Sequence, residues 1–476
     1  MLASCVFVWV ANSGGILSSN DGSHLALGRA LALRGEATID PDRALTLEVD
    51  LAERGGHAYS DRPPGTAFAA VPAIWIGDRL DPIARARAVE QAKAGERVDP
   101  LPGPELYVQT YSARAQGRGA SLVDRIASSV LINLHAALVG LLGLVLLRRL
   151  VARAGFDEGA QLFACASLGL ATLWGPYSTA LFAHVSAGTA WLAFVLGATG
   201  LRATAADSRD RRTVMIALGT GLAGAWAIAC DYALILAVVP ATLALVPWRR
   251  WPLVLFGTAP IAAATLAYHG AAFGHPLAIG YDFQTNFDFA RERGSTFSGS
   301  MGEGLWVTWG LGKGAGMLAQ SPLSLAGVAA LVTAVASAIR RGEAPSETLR
   351  GVAIAALCML PWVLAVALHR TPWGGGTLDH RYLVPLLPLA CVGLAWAWAR
   401  ESTVLRVVLV ALAGASAVLV WRHFLGWHEA QAFARAQLGL GAACVVALAT
   451  LLATSEREDE NADEGASAAP PDQAPR

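Results

Sequence analysis

The strongest constraint on this chain is a series of apolar runs, each about as long as a helix needs to cross a ~30 Å hydrocarbon core. They fall at roughly 2–18, 126–147, 160–176, 179–199, 213–229, 232–248, 251–268, 322–339, 351–368, 383–399, 403–421 and 436–453. Backbone polar groups in lipid must be satisfied within a helix or a closed barrel, and runs of this length read as helices. Only 15% of the 476 residues are charged, against about 25% in soluble domains, while 54% are hydrophobic. The expected fold is an all-α polytopic membrane protein with about 11–13 transmembrane helices. Its large first extracytoplasmic loop should carry surface-lying helices. The formal net charge is zero, so no basic field points to nucleic acid. Cys5, Cys165, Cys230, Cys358, Cys391 and Cys444 sit in or beside apolar segments without CxxC spacing, as small hydrophobes rather than metal ligands or disulfide partners. The opening MLASCVFVWVANSGGILS lacks a basic start and a small-x-small cleavage site, and reads as a membrane helix rather than a leader.

Charge sets the expected orientation. Arg148, Arg149, Arg153, Arg209, Arg211, Arg212, Arg249, Arg250, Arg340, Arg341, Arg350, Arg400 and Arg406 all fall in alternate links, which the positive-inside rule makes cytoplasmic. The other links, 19–125, 269–321, 369–382 and 422–435, are then extracytoplasmic. TAFAAVPAIWIG at 66–77 is too short to cross and would reverse every later helix if it did, so it reads as a dip into the outer leaflet or a re-entrant segment. One integral membrane domain spans 1–453, with long outer loops at 19–125 and 269–321. An acidic, Pro/Ala-rich tail, 454–476, has the composition of a disordered cytoplasmic segment. There is no GxxxxGK[ST] and no strand-flanked GxGxxG, so no nucleotide site is visible.

The first outer loop holds the residues of interest. SSNDGSHLALGRALALRG predicts a helix with Leu27, Leu31 and Arg34 on one face, lying along the membrane surface. Two readings of Asp21 stand: the helix N-cap with His24 as a surface neighbour, or a base held by that capping geometry. In YSDRPPG, Pro63 and Pro64 stiffen the chain that carries Asp61 and Arg62. The Arg62 guanidinium there could clamp a lipid-linked phosphate or simply reach to lipid headgroups. Glu48 and Asp50 read as solvent-facing charge, and Asp231 as a turn cap.

Beyond these loops, LWGPYSTALFAH (173–184), YHGAAFGHPLAIGY (268–281), SPLSLAGVAAL (321–331) and PWGGGTLDHRYLVPLLP (372–388) appear in that order. With SNDGSH and DRPPG, this set resembles the polyprenyl-phosphate-sugar-dependent glycosyltransferases of the C superfamily, including protein mannosyltransferases and aminoarabinose transferases. The likeness runs over nearly the whole chain. It implies a base at Asp21 and a donor-phosphate ligand at Arg62. Arg381, beside Asp379 and His380 at the outer start of a helix, reads either as a second phosphate ligand or as an interfacial anchor next to Tyr382. Gly22 replaces the second acid of the mannosyltransferase pair, Arg62 stands where a lysine is common, and the first helix starts short and uncharged.

The resemblance implies a polyprenyl-phosphate sugar as donor and an envelope glycan, lipid or protein as acceptor, at the outer face of a bacterial cytoplasmic membrane. No cofactor is implied, and the need for a divalent metal stays open. A single acid with no neighbouring nucleophile favours one-step, inverting transfer. His24, Asp61, Tyr281, Glu303, Asp379 and His380 complete the candidate site, while Lys313, His275 and Asp282 line the second loop. The rival readings are a transporter or flippase of a lipid-linked sugar, an oligosaccharide ligase, and a non-catalytic polyprenyl-lipid-binding relative. The near absence of Asp, Glu, Lys and Arg in mid-span weighs against ion-coupled transport. The topology predicts that an impermeant thiol reagent labels a single cysteine introduced at position 110 and spares one at 345. The reverse pattern in intact cells overturns the orientation.

Overall fold

The structure is a computed structural model that describes Cys5, Trp9 and residues 18–93, 127–204, 210–341, 346–374, 378–400 and 402–426. The last expected crossing, the tail, Cys444, positions 110 and 345, and most of the first crossing lie outside the described residues. The helices are α1 Ser19–Arg29 and α2 Gly65–Lys93, which fall outside the apolar runs, and then α3 Ala127–Arg153, α4 Glu158–Ala171, α5 Ala183–Arg202, α6 Arg211–Cys230 and α7 Ile235–Leu245, which follow them. They continue with α8 Trp251–Phe273, α9 Met301–Trp309, α10 Pro322–Arg341, α11 Glu347–Cys358, α12 Leu360–Leu368, α13 Leu387–Trp398 and α14 Thr403–Gly426. Among the described residues, seven helices are long and apolar enough to cross a membrane, and Tyr232–Leu245 and Pro322–Ala338 form shorter apolar helices. The chain is a multi-pass membrane protein. Its five described cysteines are free.

The bundle has two chemically different ends. At one end, Arg148 pairs with Glu158, Arg153 donates to the Leu196 carbonyl, and Arg202 binds Glu347 and the Ala244 carbonyl. Arg406 donates to the Trp398 carbonyl, and Ser346 to that of Ala154, at the same end. The described links that carry Arg148, Arg153 and Arg406 therefore gather on one side. The other end carries the loops, where Ser321 reaches the Ala171 carbonyl and Tyr268 the Ser60 carbonyl.

The described part of the first long loop is more compact than its sequence suggested. A two-stranded antiparallel hairpin, β1 Leu51–Arg54 and β2 His57–Ser60, turns on Gly55 and Gly56, which have φ of 62° and 82°. Two consecutive left-handed residues suit a tight hairpin turn and favour glycine. The second long loop, 269–321, adds to this edge through an antiparallel bridge from Gln284 to Ala52. Leu25, Leu27, Ile39, Leu45, Leu51, Tyr59, Tyr268 and Phe273 form a separate apolar core under both loops.

Three expectations are corrected. Segment 66–77 is the start of α2, a continuous helix of 29 residues, and not a short re-entrant turn. Its charged continuation consists largely of Ala, Arg, Glu, Gln and Lys, which favour helix as well as the apolar part does. α1 does not lie on a surface with one apolar face: every residue from Asp21 to Gly28 is buried. It is enclosed by α2 and the turn Asp40–Thr46, and a Cβ on Gly28 would overlap the Ile74 side chain. The N-cap is Ser18, whose hydroxyl accepts from the Asn20 N–H, and Asp21 is the third helical residue of a capping box.

Elsewhere the bundle is held by close backbone approach, as expected where lipid provides no hydrophobic drive between helices. A Cβ on Gly221 of α6 would overlap the Val254 carbonyl, and one on Gly257 of α8 the Leu218 carbonyl. Gly219, on the same helix as Gly221, has open space around it. Gly221→Ala and Gly257→Ala are each expected to cost about 1–3 kcal/mol and lower the thermal midpoint in detergent. Gly219→Ala serves as the neutral control, and equal behaviour of all three would contradict the packing.

Candidate active site

Arg62 is the centre of the loop-bearing end. β2 stops at Ser60, and Pro63 and Pro64 separate Arg62 from α2, whose first residue, Gly65, packs so closely on α6 that a Cβ would lie 2.6 Å from Ala229. The guanidinium is thus fixed between hairpin and bundle with 18% of its side chain exposed. It ion-pairs with Asp50 Oδ1 and, 3.2 Å away, with Asp61 Oδ1. Asp50, which the sequence reading left facing solvent, is buried, because Ser19 of α1 donates to its other oxygen at 2.6 Å. Glu48 does face solvent and pairs with Arg43. Asp61 is buried too, 3.4 Å from Gln284 Nε2 and 3.5 Å from Ser23 Oγ.

Asp21 is fully buried two residues beyond Ser19. Its Oδ1 accepts from the Ser18 N–H at 2.7 Å and the Ser18 hydroxyl at 2.8 Å. The relay Ser19–Asp50–Arg62 joins its helical turn to the guanidinium. His24, one turn further along α1, is buried and lies within electrostatic reach of Arg62. Burial first, and then that cation, push its pKa down to about 3, so the ring is neutral. Burial would also discharge Arg62, but Asp50 and Asp61 outweigh it and raise its pKa.

The motif 173–184 forms the turn Trp174–Tyr177 and the start of α5, and delivers Tyr177, Phe182 and His184. Tyr177 donates to Asp379 Oδ2 at 2.5 Å, and Asp379 Oδ1 accepts from the Arg381 N–H at 3.0 Å. Asp379 therefore fixes the strand of chain carrying Arg381, whose guanidinium lies 5.7 Å from the Tyr382 ring centre and 5.8 Å from that of Phe182. His184 is within electrostatic reach of Arg381, His24 and Arg62 together. Tyr281, from the second loop, is within reach of Arg62 and Tyr382.

The structure therefore gathers Asp21, His24, Asp61, Arg62, Tyr281, Asp379 and Arg381 at one end of the bundle. It does not gather all the candidates. Glu303 is exposed in the first turn of α9, where the Ser300 hydroxyl caps its N–H. His380 is turned to the Ala315 carbonyl, 3.0 Å from Nδ1. Lys313 stacks over Trp373, His275 caps Leu277, and Asp282 caps Ile279. Asp231 caps the turn Tyr232–Leu234, as its sequence suggested. Asp50, Tyr177, His184 and Tyr382 were missed as site residues, although the last three stand inside the quoted motifs. Among the described residues no group of three His, Cys, Asp or Glu side chains could hold a metal ion; Asp50 and Asp61 face a guanidinium instead.

No protein-family model and no curated protein matches this chain. Two solved structures are similar. ArnT from Cupriavidus metallidurans, in a crystal structure bound to undecaprenyl phosphate, aligns with a TM-score of 0.52 at 14% identity, over 94% of this chain and 73% of that one. The archaeal oligosaccharyltransferase AglB from Archaeoglobus fulgidus, in complex with an inhibitory peptide and a dolichol-phosphate, aligns at 0.45 and 14% identity, over 90% of this chain and 55% of that one. The likeness to ArnT is one of fold.

Burial raises the Asp61 carboxyl to about 7, with Arg62 opposing the rise and Asp50 adding to it. A carboxyl raised on folding stabilises the folded protein fully below the ordinary carboxylate range, and that contribution is lost as pH rises through about 7. Thermal midpoints of the wild type should thus carry a decline between about pH 4 and pH 7 that Asp61→Asn lacks. Parallel pH profiles for the two proteins would contradict the assignment.

Proposed function

We propose that this protein transfers a sugar from a polyprenyl-phosphate carrier to an acceptor at the extracytoplasmic surface of the cytoplasmic membrane. The single observation that carries the reading is Arg62: a guanidinium kept charged in a partly buried setting at the loop-bearing end, with Arg381 sharing its neighbours His184 and Tyr382. A guanidinium has five N–H donors, and the contacts to Asp50 and Asp61 leave others for a phosphate oxygen. The undecaprenyl phosphate in the ArnT structure supports this ligand class. The arginines at the opposite end of the bundle support an outward-facing site through the positive-inside rule.

In this mechanism Asp21 accepts the proton of the acceptor hydroxyl as its oxygen bonds to the anomeric carbon. The bond from that carbon to the phosphate oxygen breaks in the same step, so the configuration inverts. The electron pair leaves with the lipid phosphate, whose growing charge Arg62 and Arg381 meet. The capping box holds Asp21 rigid through Ser18.

Release of undecaprenyl phosphate from a panel of undecaprenyl-phosphate sugars tests the reading in purified protein. Asp21→Asn should lower the rate about 10²–10⁴-fold with donor binding retained. Arg62→Ala should lower it about 10²–10³-fold and weaken donor binding as well. Full activity in either variant removes that residue from its role, and no release from any donor by the wild type favours the lipid-binding or transport readings. A chelator in the same assay decides whether a divalent metal takes part.

A further inference from the structure

Two imidazoles lie buried beside the guanidinium pair with ring nitrogens that meet no hydrogen-bond partner among the described residues. His24 of α1 is 1% exposed, and both Nδ1 and Nε2 are without partners. His184, at the start of α5, is 8% exposed, and its Nε2 is without one. The two rings come from separate elements yet lie within electrostatic reach of each other and of Arg62. His184 is framed edge-on by Tyr177 and Tyr382, with ring centres 5.6 and 5.7 Å away. Buried polar atoms are nearly always hydrogen-bonded, so three such nitrogens in one place point to a ligand with several polar groups.

The chemistry of the rings selects that ligand. Guanidinium groups only donate, and so suit phosphate oxygens. A neutral imidazole donates through one nitrogen and accepts through the other. A hydroxyl has the same dual character, and a sugar presents several at once. The low pKa of His24 agrees with this, since a ring that stays neutral keeps its accepting nitrogen at every working pH.

We propose that His24 and His184 form the subsite for the hydroxyls of the donor's sugar, beside the guanidiniums that take its phosphate. The inference rests on the glycosyl-transfer reading above and adds two positioning residues to it. Asp21 and His24 are three residues apart on α1 and so share a face, which sets the base beside the sugar it must serve.

Binding separates this from a mere packing role. The full-length protein in nanodiscs is titrated with bare undecaprenyl phosphate and with undecaprenyl phosphates carrying glucose, mannose or arabinose. His24→Ala and His184→Ala should each weaken binding of the preferred sugar-bearing lipid about tenfold and leave the bare lipid within about twofold. His24→Gln and His184→Gln, which keep a donor and an acceptor, should recover part of the loss. Unchanged sugar-lipid binding, or equal losses for bare and sugar-bearing lipid, overturns the subsite. A wild type that binds the bare lipid but none of the sugar-bearing ones overturns it as well, while leaving the phosphate reading in place. A wild type that binds no lipid at all overturns the phosphate reading and this inference together.

Discussion

The loop-bearing end of this protein is organised around one partly buried cation. Desolvation works against a guanidinium enclosed as Arg62 is, and removing a partner from a buried ion pair typically costs about 3–5 kcal/mol. Arg62 remains charged because Asp50 and Asp61 both face it. Those carboxylates are held in turn by Ser19 from α1 and by Gln284 from the second long loop. A hairpin, a helix terminus and a distant loop therefore meet at a single side chain, and the candidate active site is what they enclose.

That arrangement needs support from below and from the side. Below, the two prolines and the Gly65–Ala229 approach fix the exit of Arg62 into α2 against α6. To the side, the loops have an apolar core of their own, with Leu25, Leu51, Tyr59, Tyr268 and Phe273 packed away from the bundle's interior cluster. Burying loop residues in this way replaces solvent screening with a low-dielectric setting, where each charge acts more strongly on its neighbours. The same enclosure that keeps His24 neutral lifts Asp61, so one environment produces opposite shifts in a base and an acid.

The helical framework was legible in the sequence because its cause is local. An apolar run of sufficient length in lipid has few alternatives to a helix, and the observed spans 127–153, 183–202, 211–230 and 403–426 follow the expected runs closely. The motifs were legible as a set for a related reason: their order along the chain is a sequence property. Where a local rule was applied to a non-local question, it failed. Segment 66–77 was judged by hydropathy alone, yet helix propensity carries it on to Lys93. α1 was assigned one buried face from its leucines, yet neighbours enclose it on all sides, a fact that its own period cannot encode.

Sequence by itself determined the membrane class of the protein, the course of its main helices, the collection of arginines in alternate links, and the identities of Asp21, Arg62 and Arg381 as chemically capable residues. Only the tertiary structure decided which of these groups share an environment. Asp50 looks like any loop aspartate until Ser19 and Arg62 close on it, and Glu303 looks as able as Asp61 until it is found exposed. The reason is physical: a residue's type fixes what chemistry it can do, whereas burial and partners fix its charge state and its reach. In this chain those depend on contacts between residues as far apart in sequence as His24 and His184.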